Sequence, residues 1–295
     1  MQRTISFMKD LEYISIEEKS LNDKLVNLYG PYIPGLYEAV KPLFDDSAAK
    51  KPALPLLIEL YEDNNGEYPY EKADLRIMVF GRETNNWNDD EHRASAPYTD
   101  FKYNFNLKSS EDINAEISGI PDKIHGIGDI YGDYCYHDTS YKKSTFTTKK
   151  DELITILKSR LPGLKIEDVW NNIFKIGLSS AERGKSCGLP SSTIQKIERE
   201  YFNVIADEVK ILKPDVIIFL TGKEADGRIQ EVFGLSENDF QSVNDGIFLD
   251  RIEIPGVKYA ARTVHPSERY KSNEYFTKHF NALVDDLIGV IKCRN

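Results

Sequence analysis

Residues 213–225, KPDVIIFLTGKEA, decide how the rest of the chain is read. A helical pattern ends at Lys213-Pro214, and DVIIFLTG (215–222) then forms a continuous apolar run that passes directly into a second helical pattern over 223–233. A short apolar run without polar alternation, set between helices, is the pattern of a strand covered on both faces. Such strands belong to parallel sheets, whose crossover connections are themselves helices packed on the sheet.

Three further segments fit the same scheme. Upstream, LRIMVFG (75–81) stops at a glycine and hands over to Arg82-Glu83-Thr84-Asn85. A shorter strand pattern, VWNNIF (169–174), follows a helical stretch over 150–160 that ends at Pro162-Gly163. A fourth, Tyr259–Val264, ends at His265-Pro266-Ser267, and an amphipathic helix over about 273–291 comes last. A long helix is expected over 192–212, starting at a Ser/Thr cap. Strands alternating with helices imply a four-stranded, mainly parallel sheet covered on both sides. Apolar residues at helical spacing (Leu21, Leu25, Leu28, Leu36, Val40, Leu43) predict helices over 17–45, interrupted by Pro31 and Pro34, and a further helix is read over 53–62. The expected organisation is an N-terminal helical extension, 1–70, packed on a main domain, 71–295. That domain carries a loop insertion at about 88–150, rich in Asn, Asp, Ser, Gly and Tyr and without periodicity.

Composition narrows the function classes. The 295 residues are 40% hydrophobic and 29% charged, ordinary for a globular chain long enough to bury a large core. The first twenty residues lack an apolar leader and no run approaches a membrane span, so a cytoplasmic protein without membrane contact is expected. Cys135, Cys187 and Cys293 are far apart with no CxxC spacing, so no disulfide framework, metal site or other cofactor is called for. His125, Cys135, His137 and Asp138 are metal-ligating types, but their spacing matches no standard site, and a solvated loop is the simpler reading. The net charge of −10 argues against a protein that coats nucleic acid with its whole surface. Yet 142–150 carries +4, 175–199 carries +3 and 258–278 carries +3, leaving −20 for the remainder. A polyanion site requires those windows to meet around one cleft.

On a parallel sheet the four strand endings share one edge, where ligands bind. They bring together Gly81 with Glu83 and Asn85, Asn172 with Lys175, the turn Thr221-Gly222-Lys223, and His265 with Ser267. Singly, each has a structural explanation: a helix-start acid, a satisfied strand-end amide, a turn histidine held by Pro266. Together they make a candidate site.

These segments resemble the uracil-DNA glycosylase superfamily. Gly81-Arg82-Glu83-Thr84-Asn85 takes the place of its first motif (GQDPY, GEAPG or GINPG), with Thr84 where that motif has proline. Asn172-Ile173-Phe174-Lys175 is similar to the Asn-Val-Val-Lys segment of the iron–sulfur branch, whose cysteines are absent. The segment 213–225 and His265-Pro266-Ser267 follow in the family order, so the likeness spans about 75 to 290. The resemblance implies a three-layer α/β/α fold and a DNA glycosylase that extrudes a deaminated or damaged base and hydrolyses its N-glycosidic bond. It implies catalytic roles for Glu83, which would stabilise the sugar cation or orient water, and for His265, which would donate to the leaving base. Asn172 would read the base edge, and Tyr98 or Phe101 would stack on it, although either ring is equally at home in a core. Gly81, Asn85 and Ser267 would complete the substrate pocket. Lys175, Lys185, Arg269 and Lys271 would contact the DNA backbone, giving weak, salt-sensitive binding. The altered first motif and the acidic surface leave a second expectation open: a non-catalytic protein on the same fold that binds a nucleobase, nucleotide or other small ligand.

Overall fold

The computed structural model describes residues 20–45, 50–83, 131, 133–137, 144–180, 188–243, 246–268 and 271–294. Their strands are Lys50–Pro55 (β1), Leu75–Gly81 (β2), Ile166–Asn172 (β3), Ile176–Ser180 (β4), Val216–Phe219 (β5), Phe240–Ser242 (β6), Leu249–Ile252 (β7) and Tyr259–Thr263 (β8). Six of them form one sheet in the order β3-β2-β5-β8-β7-β6. The first four are mutually parallel, and β7 and β6 extend the edge antiparallel. β1 and β4 pair separately, antiparallel, from Lys50 opposite Ser180 to Pro55 opposite Ile176.

Side-chain alternation along the central strands divides two cores. Leu75, Ile77 and Val79 of β2, with Val216 and Ile218 of β5, face a cluster closed by Leu153 and Leu157 of Thr145–Arg160 (α4) and by Phe280, Leu283 and Leu287 of Asn273–Arg294. Met78 and Phe80, with Ile217 and Phe219, face the opposite cluster, where Phe80 stacks on Phe219 at 5.0 Å. Helices Leu21–Tyr29 (α1), Ile33–Val40 (α2), Ser192–Tyr201 (α5), Ile205–Leu212 (α6) and Asp226–Phe233 (α7) contribute Leu25, Leu36, Ile194, Ile205 and Ile229 to that side. The N-terminal helices therefore share their core with the sheet. The long C-terminal helix, after Pro42–Asp45 (α3) and α4 to α7, is α8.

The structure departs from the sequence expectations in three places. The segment 53–62 is not helical: β1 ends at Pro55, and the next residues run irregularly to 63. Pro52 and Pro55 supply no N–H to a helix ladder. The donors that follow are met from outside, Leu56 by the Lys175 carbonyl, Ile58 by the Tyr29 hydroxyl and Leu60 by Asn22 Oδ1. Helix 192–212 is two helices, parted where Phe202 leaves helical geometry to stack on Tyr29 at 6.0 Å. The sheet has six strands rather than four: β6 and β7 are only three and four residues long, too short to show a period, and β7 turns a charge inward as well as apolar groups. Asp250 of β7 is buried against Arg262 of β8, which lies between the rings of Phe240 and Phe248 at 4.7 and 4.8 Å.

From β2 the chain crosses to β3 on one side and then to β5 on the other. The reversal of strand order falls between β2 and β5, and the crevice beyond their carboxyl ends is where open α/β sheets take ligands. The amino ends are closed instead by Asp215, which accepts hydrogen bonds from the Arg76 backbone and guanidinium and pairs with Lys258.

Candidate functional site

Parallel register places Gly81 beside Asn172. A Cβ on Gly81 would lie 2.6 Å from Asn172 Oδ1 and about 3.0 Å from the Phe146 ring, so the absence of a side chain makes room for the amide. Asn172 is 1% exposed. Its Oδ1 accepts from the Trp170 indole N–H at 2.9 Å, and since an indole only donates, the amide orientation is fixed. Nδ2 is consequently a buried donor, without an acceptor among the described residues. Burying such a group unpaired costs about 1–3 kcal/mol, which a ligand carbonyl would recover.

His265 leaves β8 on the far side of Gly222. The glycine adopts φ +62° and ψ −165°, open to glycine alone, and a Cβ there would be 3.6 Å from His265 Cβ. The Ser267 backbone N–H donates to His265 Nδ1 at 3.1 Å, so the proton of the neutral ring resides on Nε2. Burial, followed by the Arg82 charge, pushes the imidazole pKa down to about 3. His265 is thus a neutral donor at physiological pH.

Arg82 and Glu83 follow β2, which lies between the strands of these two groups in the sheet, and so stand at the switch point. Arg82 Nε lies 3.6 Å from Glu83 Oε2, and Arg82 Nη1 hydrogen-bonds Glu224 at the start of the turn after β5. Glu83 is almost entirely buried.

Beneath the edge is a closed polar network. Lys175 Nζ donates to Asn171 Oδ1 (2.8 Å) and Glu208 Oε1 (2.7 Å). Glu208 also accepts from the Tyr29 hydroxyl (2.6 Å) and Asn171 Nδ2 (2.9 Å), and Asn171 Oδ1 accepts from the Asn172 backbone N–H (2.8 Å). Lys175 is 0% exposed, which overturns its expected contact with DNA phosphates: its charge is spent on Glu208, and burial lowers its pKa against that pull. Lys271 is exposed, its ammonium 4.7 Å from the Tyr275 ring, and Ser267 holds His265 through its backbone. Asn85, Tyr98, Phe101, Lys185 and Arg269 lie outside the described residues, as do His125 and Asp138. Burial pushes the Cys135 thiol up to about 12, with Lys150 pulling the other way.

The structure thus brings Gly81, Glu83, Asn172 and His265 to the carboxyl edge of one sheet and adds residues the sequence reading passed over. Arg82 was visible within the quoted motif but overshadowed by the acid beside it. Phe146, half-buried against Gly81 and Trp170, sits in a basic window with no periodic signal to single it out. Among the described residues no helix is long and apolar enough to cross a membrane, and no group of three or more His, Cys, Asp or Glu is placed to hold a metal ion. No protein-family model matches the chain, and no curated protein matches it.

Proposed function

We propose that the crevice binds a nucleobase and that the chain is a uracil-DNA glycosylase-like protein, hydrolysing the N-glycosidic bond of a deaminated or damaged base in DNA. The observation that carries this reading is a buried donor without an acceptor among the described residues, Asn172 Nδ2, fixed by Trp170, at the same sheet edge as the Nε2–H of His265, whose tautomer is fixed by the Ser267 backbone N–H. Two donors at a strand-end crevice suit the carbonyl oxygens of a base. A neutral imidazole can polarise such an oxygen as negative charge develops on the leaving base. Glu83 is the carboxylate at hand for the sugar cation or the attacking water. Phe146 is an aromatic face at the same edge and a stacking candidate in addition to Tyr98 and Phe101, which the resemblance implies.

A second reading, recognition of a nucleobase or nucleotide without hydrolysis, is favoured by the ion pair. The Arg82 charge, 3.6 Å from Glu83, offsets the negative field that an oxocarbenium ion needs. The two readings separate when purified protein is incubated with single- and double-stranded oligonucleotides bearing uracil, hypoxanthine, xanthine or mismatches and abasic sites are scored. The glycosylase reading expects base release, slowed at least about tenfold, or roughly 1.4 kcal/mol in barrier, by Glu83→Gln and by His265→Ala. Binding without release from any substrate selects the second reading.

A further inference from the structure

Recognition of a base uses Asn172 and His265 but leaves Arg82 without a task. Its side chain is 15% exposed, yet the guanidinium is incompletely matched: Nε is buried with no hydrogen-bond acceptor among the described residues, and its ion pair with the Glu83 carboxylate, at 3.6 Å, is too long for a hydrogen bond. Among the described residues, the acid hydrogen-bonded to it is Glu224, whose side chain is 64% exposed. A solvated carboxylate on a short turn is a weak counterion, because holding it in place costs side-chain entropy and water screens the attraction. A guanidinium fork takes phosphate oxygens in pairs, which would meet the Nε edge that Glu224 leaves unmet. Among the described residues one cation here meets two carboxylates, so an anion is better accepted if one acid yields, and the exposed Glu224 can swing into solvent.

We propose that Arg82 is the phosphate receptor of the crevice and that Glu224 is its displaceable stand-in. The inference rests on the nucleobase reading for the identity of the ligand, but its core is anion binding at Arg82. Phosphate from a free nucleotide and phosphate from a DNA strand share this chemistry.

Calorimetric titration with inorganic phosphate, deoxyuridine, deoxyuridine monophosphate and a short uracil-containing single strand tests it. Glu224→Gln, at an exposed position where folding is not at stake, should bind inorganic phosphate and the monophosphate about tenfold more tightly than the wild type. Arg82→Gln should lose that preference for the monophosphate over the nucleoside, and Arg82→Lys should recover only part of it. A gain with the monophosphate alone identifies a nucleotide site, and a gain with the strand as well identifies a nucleic-acid backbone site. Phosphate affinities unchanged by Glu224→Gln would overturn the proposal, reducing the pair to a structural bridge. Deoxyuridine binding with no added affinity from its phosphate would sink the proposal while sparing the nucleobase reading. Phosphate binding without any nucleoside binding would do the reverse.

Discussion

His265 combines a buried ring, an occupied Nδ1 and a neighbouring guanidinium, and these fix both its chemistry and its effect on stability. The folded state holds the imidazole near 3, whereas an unfolded chain holds it near 6.5, so on acidification the unfolded state takes up the proton first. The stability this group contributes is complete above pH 6.5 and is lost as pH falls from there towards 3. At pH 5 the loss is about 2 kcal/mol. Urea midpoints measured at pH 7 and pH 5 should therefore fall further for the wild type than for His265→Gln, which cannot titrate. If the proposed base release occurs, its rate should carry no inflection from His265 between pH 5 and 8, since the donor stays neutral throughout. A rate profile that His265→Gln flattens within that range would show that the ring works as an acid instead.

Among the elements, β2 and β3 set the site through their shared ending. Gly81→Ala places a methyl group 2.6 Å from Asn172 Oδ1, against the rigid Phe146 ring, so the amide must move away from Trp170. Ligand binding should weaken at least about tenfold with a stability loss of about 1–3 kcal/mol, as for other overpacked sites. Comparing binding isotherms with thermal melts separates the two effects. The network under β3 makes a different prediction. Lys175→Met alone strands the Glu208 carboxylate in the core and should destabilise by about 3–5 kcal/mol, whereas Lys175→Met with Glu208→Leu should recover most of that in denaturant titrations. A double variant as unstable as the single one would mean that the network, and not charge burial, holds α1 and α6 to the sheet.

The same elements show what the sequence could disclose. Four parallel strands were legible because each is an apolar run ending in glycine, asparagine or histidine, and their shared carboxyl edge followed from the topology. The placement of Asn172 and His265 at that edge was legible for that reason. Lys175 was not, because a lysine three residues past a strand reads as a surface charge until Glu208, on α6, is known to face it. β1 was lost for a related cause: Ala53, Leu56, Leu57, Ile58 and Leu60 are buried by neighbours on several sides, which mimics helical spacing. β6 and β7 are too short for period, and their buried Asp250 needs Arg262 to explain it.

For the whole molecule, the proposed glycosylase reading requires an acidic chain of net charge −10 to meet a phosphate polymer. Withdrawing Lys175 removes one expected phosphate contact, and the slope of log affinity against log salt, about −0.9 per phosphate neutralised, should be correspondingly shallow. Lys271→Gln should reduce its magnitude by about one, while the Lys175→Met, Glu208→Leu pair leaves it unchanged. Equal slopes for wild type and Lys271→Gln would remove Lys271 from the backbone contacts. The central proposal, that Asn172 Nδ2 and His265 Nε2–H donate to a base, is tested most directly by a nitrogen–proton correlation spectrum recorded while deoxyuridine is added. The account predicts that the Asn172 side-chain amide and the His265 Nε2–H shift together and saturate with one affinity. Saturable shifts elsewhere with these two signals unmoved, or no shift at either, would contradict it.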